Sequence, residues 1–330
     1  VCSFCEPKRE LGQKEKTTMT VPNFTRRMIL QSGIASCVTA LGSGAGLAQS
    51  NERQVEGGIG GTGIVGLLTD IGSLYINGNY VVTDGRTAYS DGFAPIRKSS
   101  LSIGNSLTVE ATGGANDLVA RRVHITHPVV GTITLVSENG RTIRVNGVEV
   151  SLTRRLKSFT VGDRVAVSGL WRGDGVVASG LDTARESLDL VSGDVSRSGS
   201  VLRIGPVGVR GRGIANARNG GFATAIGIFD VTRQALVAQR VTAGRFIGAA
   251  GALQRLSVEG YLSPVDRAPG FRLAGLGHSF ERNLSLGTYA DKRVLFSGPY
   301  TGKFAAERAT VLPEDAAARR RLLGRLNAQK

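Results

Sequence analysis

Histidine and cysteine are scarce in this chain of 330 residues: three of each, with one tryptophan and nine prolines. Cys2, Cys5 and Cys37 all precede Ala48. The sequence beyond has no thiol, which excludes a disulfide framework, a thiolate metal centre and an iron–sulfur cluster there. Cys2 and Cys5 have C-x-x-C spacing, but no second half-motif and no βαβ pattern accompany them. His124 and His127 lie in a strand-like stretch, where positions i and i+3 face opposite sides and make no two-histidine metal clamp. Together with His278 they read as satisfied surface residues. Aromatics at 5% leave few stacking platforms for bases. The low proline content excludes a collagen-like or Pro-rich spacer chain. No Walker A loop, G-x-S-x-G elbow or H-E-x-x-H pair is found. Gly58-Ile59-Gly60-Gly61-Thr62-Gly63 has the letters of a dinucleotide fingerprint. That motif needs a strand before it and a helix after it, whereas here a polar stretch precedes and a strand follows. Asp163, Asp174 and Asp182 read as turn residues. No cofactor or metal is expected, and no catalytic residue is assigned.

What is abundant is glycine, 46 residues, arranged around a recurring β-rich unit. The clearest copy runs from Gly131-Thr132-Ile133 through Ile143-Arg144-Val145-Asn146-Gly147-Val148 to Val161-Gly162-Asp163-Arg164-Val165-Ala166-Val167-Ser168-Gly169. It closes at Gly175-Val176-Val177-Ala178-Ser179. An earlier copy opens at Gly63-Ile64-Val65-Gly66 and passes through Leu74-Tyr75-Ile76-Asn77-Gly78 to Leu118-Val119-Ala120. Diverged copies open near Gly193 and Gly260. Period-2 alternation marks half-buried strands. Asn77-Gly78 and Asn146-Gly147 are hairpin signals, because a type I′ turn needs φ > 0 at both central positions. Units of roughly 55–65 residues hold about five short strands and close most readily into small barrels that hide their edges. The expected fold is all-β: tandem small OB-like β-barrel repeats, two clear and up to four, with a short C-terminal basic helix. A small sandwich is the alternative. The expected boundaries are 57–125, 128–183, 189–242 and 254–312 for the repeats and 313–330 for the helix.

The run Gly57 to Ile64 with Gly72-Ser73-Leu74-Tyr75-Ile76-Asn77-Gly78, and the strand and turn segments of the second copy, resemble a bacterial family of exported repeat proteins, the domain of unknown function 5666. The resemblance covers 57–183 and extends over 189–312 through strand spacing alone. It implies export and a β-barrel-like repeat, and it supplies no activity and no site residues.

Thr25-Arg26-Arg27-Met28-Ile29-Leu30-Gln31 has the form of a twin-arginine export motif. A weakly apolar run follows and ends at Gly46-Leu47-Ala48, a small-residue cleavage site. This order describes a removable signal within 1–48, cleaved after Ala48, and the run is too short and glycine-rich for a membrane span. Residues 1–18 read as an untranslated leader, with the true start at Met19. Ile34-Ala35-Ser36-Cys37 has lipobox order, but the stretch from Arg27 is short for one. A periplasmic or secreted protein is therefore expected rather than a lipid anchor at Cys37.

Basic residues outnumber acidic ones, 41 to 26, a net +15. Removing 1–48 takes away six basic and three acidic residues and leaves 35 against 23, a net +12. In the periplasm such a surface favours polyanions. The candidate anion-binding residues are Arg154, Arg155 and Lys157 in one loop, and Arg210 and Arg212 in a Gly-Arg loop. Trp171 is the one candidate ring for stacking on a base or sugar, with capping of a barrel end as its alternative. Arg319 to Arg325 belong to a basic amphipathic helix that either touches anionic lipid or docks on its own barrel. The reading these features support is an exported, non-enzymatic multi-barrel protein that binds or scaffolds an envelope polyanion or envelope protein. Genomic nucleic acid is disfavoured by export and by the few aromatics. An enzyme acting on polysaccharide and a membrane-surface module stay open as alternatives.

Overall fold

A computed structural model describes residues 60–114, 116–155, 158–199, 201–264, 271–273 and 286–328. Arg26, Arg27, Cys37, Ala48, Lys157 and His278, each assigned a role from sequence, lie outside the described residues.

The first repeat contains β1 (Gly61–Asp70), β2 (Leu74–Ile76), β3 (Asn79–Val82), β4 (Ala88–Ser90), β5 (Ser106–Thr112) and β6 (Leu118–Ile125). β1 pairs with β2 and β5, β2 with β3, β3 with β6 in parallel, and β6 with β5. These five strands close a ring, and β4 adds alongside β6. The second repeat has β7 (Val129–Val136), β8 (Thr142–Val145), β9 (Val148–Leu152), β10 (Arg164–Arg172) and β11 (Gly175–Thr183). It closes through the same pairings, with β9 and β11 parallel. The third has β12 (Asp189–Ser198), β13 (Val201–Ile204), β14 (Val207–Gly211), β15 (Phe222–Asp230) and β16 (Ala235–Ala243), and it too closes, with β14 and β16 parallel. All three are five-stranded barrels of OB-like connectivity, whose closure leaves no exposed edge in the ring.

The fourth repeat contributes β17 (Leu253–Pro264), β18 (Phe271–Leu273), β19 (Arg293–Pro299) and β20 (Arg308–Val311), and its described strands pair without closing a ring. β17 runs parallel to β1, and β12 pairs with β7 at Leu190 to Val130 and Val191 to Val129. The first and fourth repeats therefore share one sheet, and the second and third share another. Each joining strand serves two cores. Ile64 enters the first barrel and Val65 the fourth repeat. This is why β1 is almost continuously buried instead of alternating. Barrel interiors are filled by Val, Ile and Leu, such as Ile133, Val145, Val165 and Ile204. Full burial of each contributes about 1.5–3 kcal/mol.

One local device recurs. Asn77 and Gly78 have φ of 55° and 72°, and Asn146 and Gly147 have 48° and 78°, as a type I′ hairpin requires. The left-handed Asn turns its amide back over the first strand of its barrel. Asn77 Nδ2 donates to the Val65 carbonyl at 2.8 Å and Asn146 Nδ2 to the Val130 carbonyl at 2.9 Å. The next strand residue must then be bare. A Cβ on Gly66 or Gly131 would lie 2.0 or 2.1 Å from the Asn side chain.

The third barrel has no Asn at this turn, which reads Ile204-Gly205-Pro206-Val207. Trp171, from β10 of the preceding barrel, takes its place. Its Nε1 donates to the Ser192 carbonyl at 2.7 Å, the position that Val65 and Val130 occupy in their barrels. The indole lies against Gly193 and Gly205, where added Cβ atoms would stand 2.7 and 2.6 Å from it. Its N–H and the part of the ring against these glycines are thus engaged within the protein. The indole joins the second barrel to the third, the end-capping role that sequence offered as its alternative.

Trp171→Ala is expected to lower the unfolding free energy by about 3–5 kcal/mol, through lost packing and a bared carbonyl. Trp171→Phe, which removes the N–H and keeps most of the ring, should cost about 1–3 kcal/mol. Urea unfolding of the two variants checks this. Equal losses would show that the indole N–H is irrelevant.

Candidate functional site

The polar groups fall into three interior or docking clusters and two exposed ones. The first cluster ties the C-terminal helix α1 (Ala316–Ala328) to the barrels. Glu259, 1% exposed, occupies on β17 the position of Val65, Val130 and Ser192 on their strands. It accepts the Leu67 backbone N–H at 3.1 Å and Arg293 Nε at 2.7 Å. Arg319 Nε of the helix stands 3.7 Å from the same carboxylate, and Arg319 Nη1 donates to the carbonyls of Pro313 and Glu314. Burial, then the neighbouring Arg293, lowers the pKa of Arg319. Tyr261 donates its hydroxyl to Glu314 at 2.6 Å, and burial followed by that bond raises its pKa well above the tyrosine range. Leu323 is buried, and its carbonyl accepts the Tyr75 hydroxyl at 3.1 Å. Arg319 and Leu323 therefore face the protein, while Arg320, Arg321 and Arg325 face solvent.

A second cluster anchors the connection between β16 and β17. Glu110, fully buried, accepts the backbone N–H groups of Ile247 and Ala249 at 2.8 and 2.7 Å, with Arg122 Nη1 at 3.3 Å. The Arg245 guanidinium lies 4.0 Å from the Phe222 ring centroid, and burial pulls its pKa down to about 10.

The histidines form the third. His124 Nδ1 is 2.8 Å from Ser90 Oγ, and His127 Nδ1 is 3.2 Å from the Val167 carbonyl. His127 is buried and His124 half-buried, rather than on the surface as sequence suggested, because β10 lies against the first and β4 against the second. Burial, then Arg122, His127 and Arg245, pulls His124 down to about 3, and burial lowers His127. Among the described residues no group of three or more His, Cys, Asp or Glu could hold a metal ion.

Of the arginines singled out for anion binding, Arg154, Arg155, Arg210 and Arg212 are all exposed. Arg154 and Arg155 follow the third strand of the second barrel, while in the third barrel Arg210 lies at the end of the corresponding strand β14 and Arg212 just after it. No side-chain hydrogen bond or ion pair to these four is found among the described residues.

The remaining exposed cluster was not singled out in sequence. A groove of about 400 Å3 lies on the outer face of β8, β9 and β11, lined by Arg144, Glu149, Ser151, Arg172, Asp174 and apolar neighbours. Its signal was present but incomplete. Arg144 and Glu149 flank Asn146-Gly147 symmetrically and so face each other across the hairpin. The approach of the β10–β11 turn, with Arg172 and Asp174, depends on the parallel β9–β11 closure.

Residues 62–124 and 130–179 match the family model of a domain of unknown function (DUF5666). The two matches fall on the first and second barrels. No curated protein and no solved structure matches the chain.

Because His124 and His127 stay neutral when folded and charge when unfolded, the unfolded chain binds more protons as pH falls below about 6.5. Stability should then decline from pH 6.5 toward 3, by on the order of 1 kcal/mol per pH unit for His124, with His127 acting in the same direction and no contribution above 6.5. Denaturant midpoints from pH 8 to 4.5 check the sign. His124→Gln should flatten the curve, and an unchanged slope would show that other groups control it.

Proposed function

We propose that this chain, whose first two barrels are DUF5666 domains, is an exported, non-enzymatic binding protein for an envelope polyanion such as an acidic polysaccharide or lipid phosphate. The observation that supports this reading is the sorting of charge. Asp70, Asp84, Glu110, Asp189, Asp230 and Glu259 are each engaged by an arginine. Arg154, Arg155, Arg210 and Arg212 stand exposed on two successive barrels. Carboxylates engaged by arginines, inside the fold and at its surface, leave the basic excess on exposed side chains such as these four, and such a field draws in polyanions. Export through the twin-arginine signal at Arg26 and Arg27 is part of the proposal. A route for folded chains suits barrels whose first and fourth repeats must meet before the sheet is complete.

The test is binding to polygalacturonate and to anionic phospholipid vesicles at low and high salt. Binding should weaken steeply as ionic strength rises from about 0.05 to 0.5 M, where the screening length shrinks to a few ångströms. The double variant Arg210→Glu, Arg212→Glu should reduce affinity about tenfold or more while leaving the thermal midpoint within about 2 °C, since neither side chain packs in a core. Absence of binding to both probes at low salt would remove the polyanion reading.

A further inference from the structure

The groove on the second barrel differs from the arginine surface in kind. Arg144 and Glu149 are cross-strand neighbours, and Arg172 and Asp174 flank the β10–β11 turn. Among the described residues no side-chain hydrogen bond or ion pair is found for any of the four. Arg172 is oriented by a ring contact, its guanidinium lying 5.6 Å from the Tyr261 ring centroid. Two donor-only and two acceptor-only side chains, with the Ser151 hydroxyl, therefore line one space without satisfying one another. Gly147 and Gly175 add no side chain, and Val177 and Pro206 supply apolar surface.

This chemistry selects a ligand class. Two carboxylates beside two guanidiniums leave the groove close to electrically balanced, so it has no net attraction for a polyanion. No aromatic ring lines it, so a base finds no stacking platform. Charged walls are costly to desolvate against a purely apolar ligand. A pyranose meets every demand. Its hydroxyls both donate and accept, and its C–H faces rest on aliphatic side chains. The volume lies in the range of small-ligand sites, about 300–1,000 Å3. The position, on the face of strands two and three beside the turn between four and five, is where OB-type barrels take oligonucleotides or oligosaccharides, and the lack of a stacking ring favours the second.

The first barrel shows what closing this face looks like. Tyr75 and Tyr80 stand in the register of Arg144 and Glu149. There the C-terminal helix covers the hairpin: the Leu323 carbonyl accepts the Tyr75 hydroxyl, and a Cβ on Gly78 would lie 3.1 Å from that carbonyl. At the second barrel the corresponding glycine, Gly147, is approached by Gln234, whose Oε1 would stand 3.2 Å from an added Cβ, and it borders the groove, which stays open over Arg144 and Glu149.

We propose that this groove binds a neutral saccharide, with Arg144 and Arg172 donating to its hydroxyls and Glu149 and Asp174 accepting from them. The site stands apart from the polyanion reading and does not rest on it. The test is a proton–nitrogen NMR titration of the protein with maltotriose, cellotriose and chitotriose, each to about 10 mM, the affinity range of shallow solvent-exposed sites. At least one should shift the amides of β8, β9 and the β10–β11 turn, to the same extent at about 0.05 and 0.5 M salt. Glu149→Gln and Arg144→Ala should each weaken that binding about tenfold with an unchanged thermal midpoint. Arg210→Glu with Arg212→Glu should leave it intact, which separates this site from the polyanion surface. No shift at the groove with any of the three sugars, shifts abolished by salt, or unaltered affinity in both groove variants would overturn the proposal.

Discussion

The structure depends on the closure of five short strands into a ring filled mainly by aliphatic side chains. Closure requires the hairpin between the second and third strands to lie down on the first. In the first two barrels a left-handed asparagine does this, its amide bonded to a first-strand carbonyl and its bulk accommodated by a facing glycine. A side chain on that glycine would collide with the amide, and loss of the amide would leave a buried carbonyl bare, at a cost of about 1–3 kcal/mol. The third barrel meets the same requirement with a donor borrowed from its neighbour, the indole of Trp171. A lock internal to a barrel has become a lock between barrels, and the second and third barrels share one continuous core as a result.

The fourth repeat alters the same strand position again. Glu259 puts a charge where its counterparts carry Val65, Val130 and Ser192. A buried carboxylate is tolerable only when fully engaged. It is met by a backbone N–H from β1, a guanidinium from β19 and a second guanidinium from the C-terminal helix. The cluster thereby gathers strands and a helix that lie far apart in the chain, and it explains why an arginine-rich helix turns one arginine inward. The buried carboxylates Glu110 and Glu259 are paired and structural. The unpaired charge lies outside, one-signed on the arginine loops and balanced in the groove of the second barrel.

What was determined by sequence alone is local. Asn77-Gly78 and Asn146-Gly147 name their turns, because φ > 0 at two adjacent residues is a property of those residues. Alternation between such turns marks the strands, and the repeat of the pattern marks the barrels, including the diverged third one. The tertiary structure decided everything that needed a partner distant in the chain. Trp171 reads as an exposed ring until Ser192, 21 residues on, is brought beneath it. His127 reads as a surface residue until β10 covers it. Glu259 has no visible purpose until Leu67, 192 residues away, reaches it across the parallel pairing of β17 with β1. Turn chemistry acts over a few bonds and is written in adjacent letters. Burial and the pairing of charges are set by which strand lies beside which, and that is settled only when the whole sheet closes.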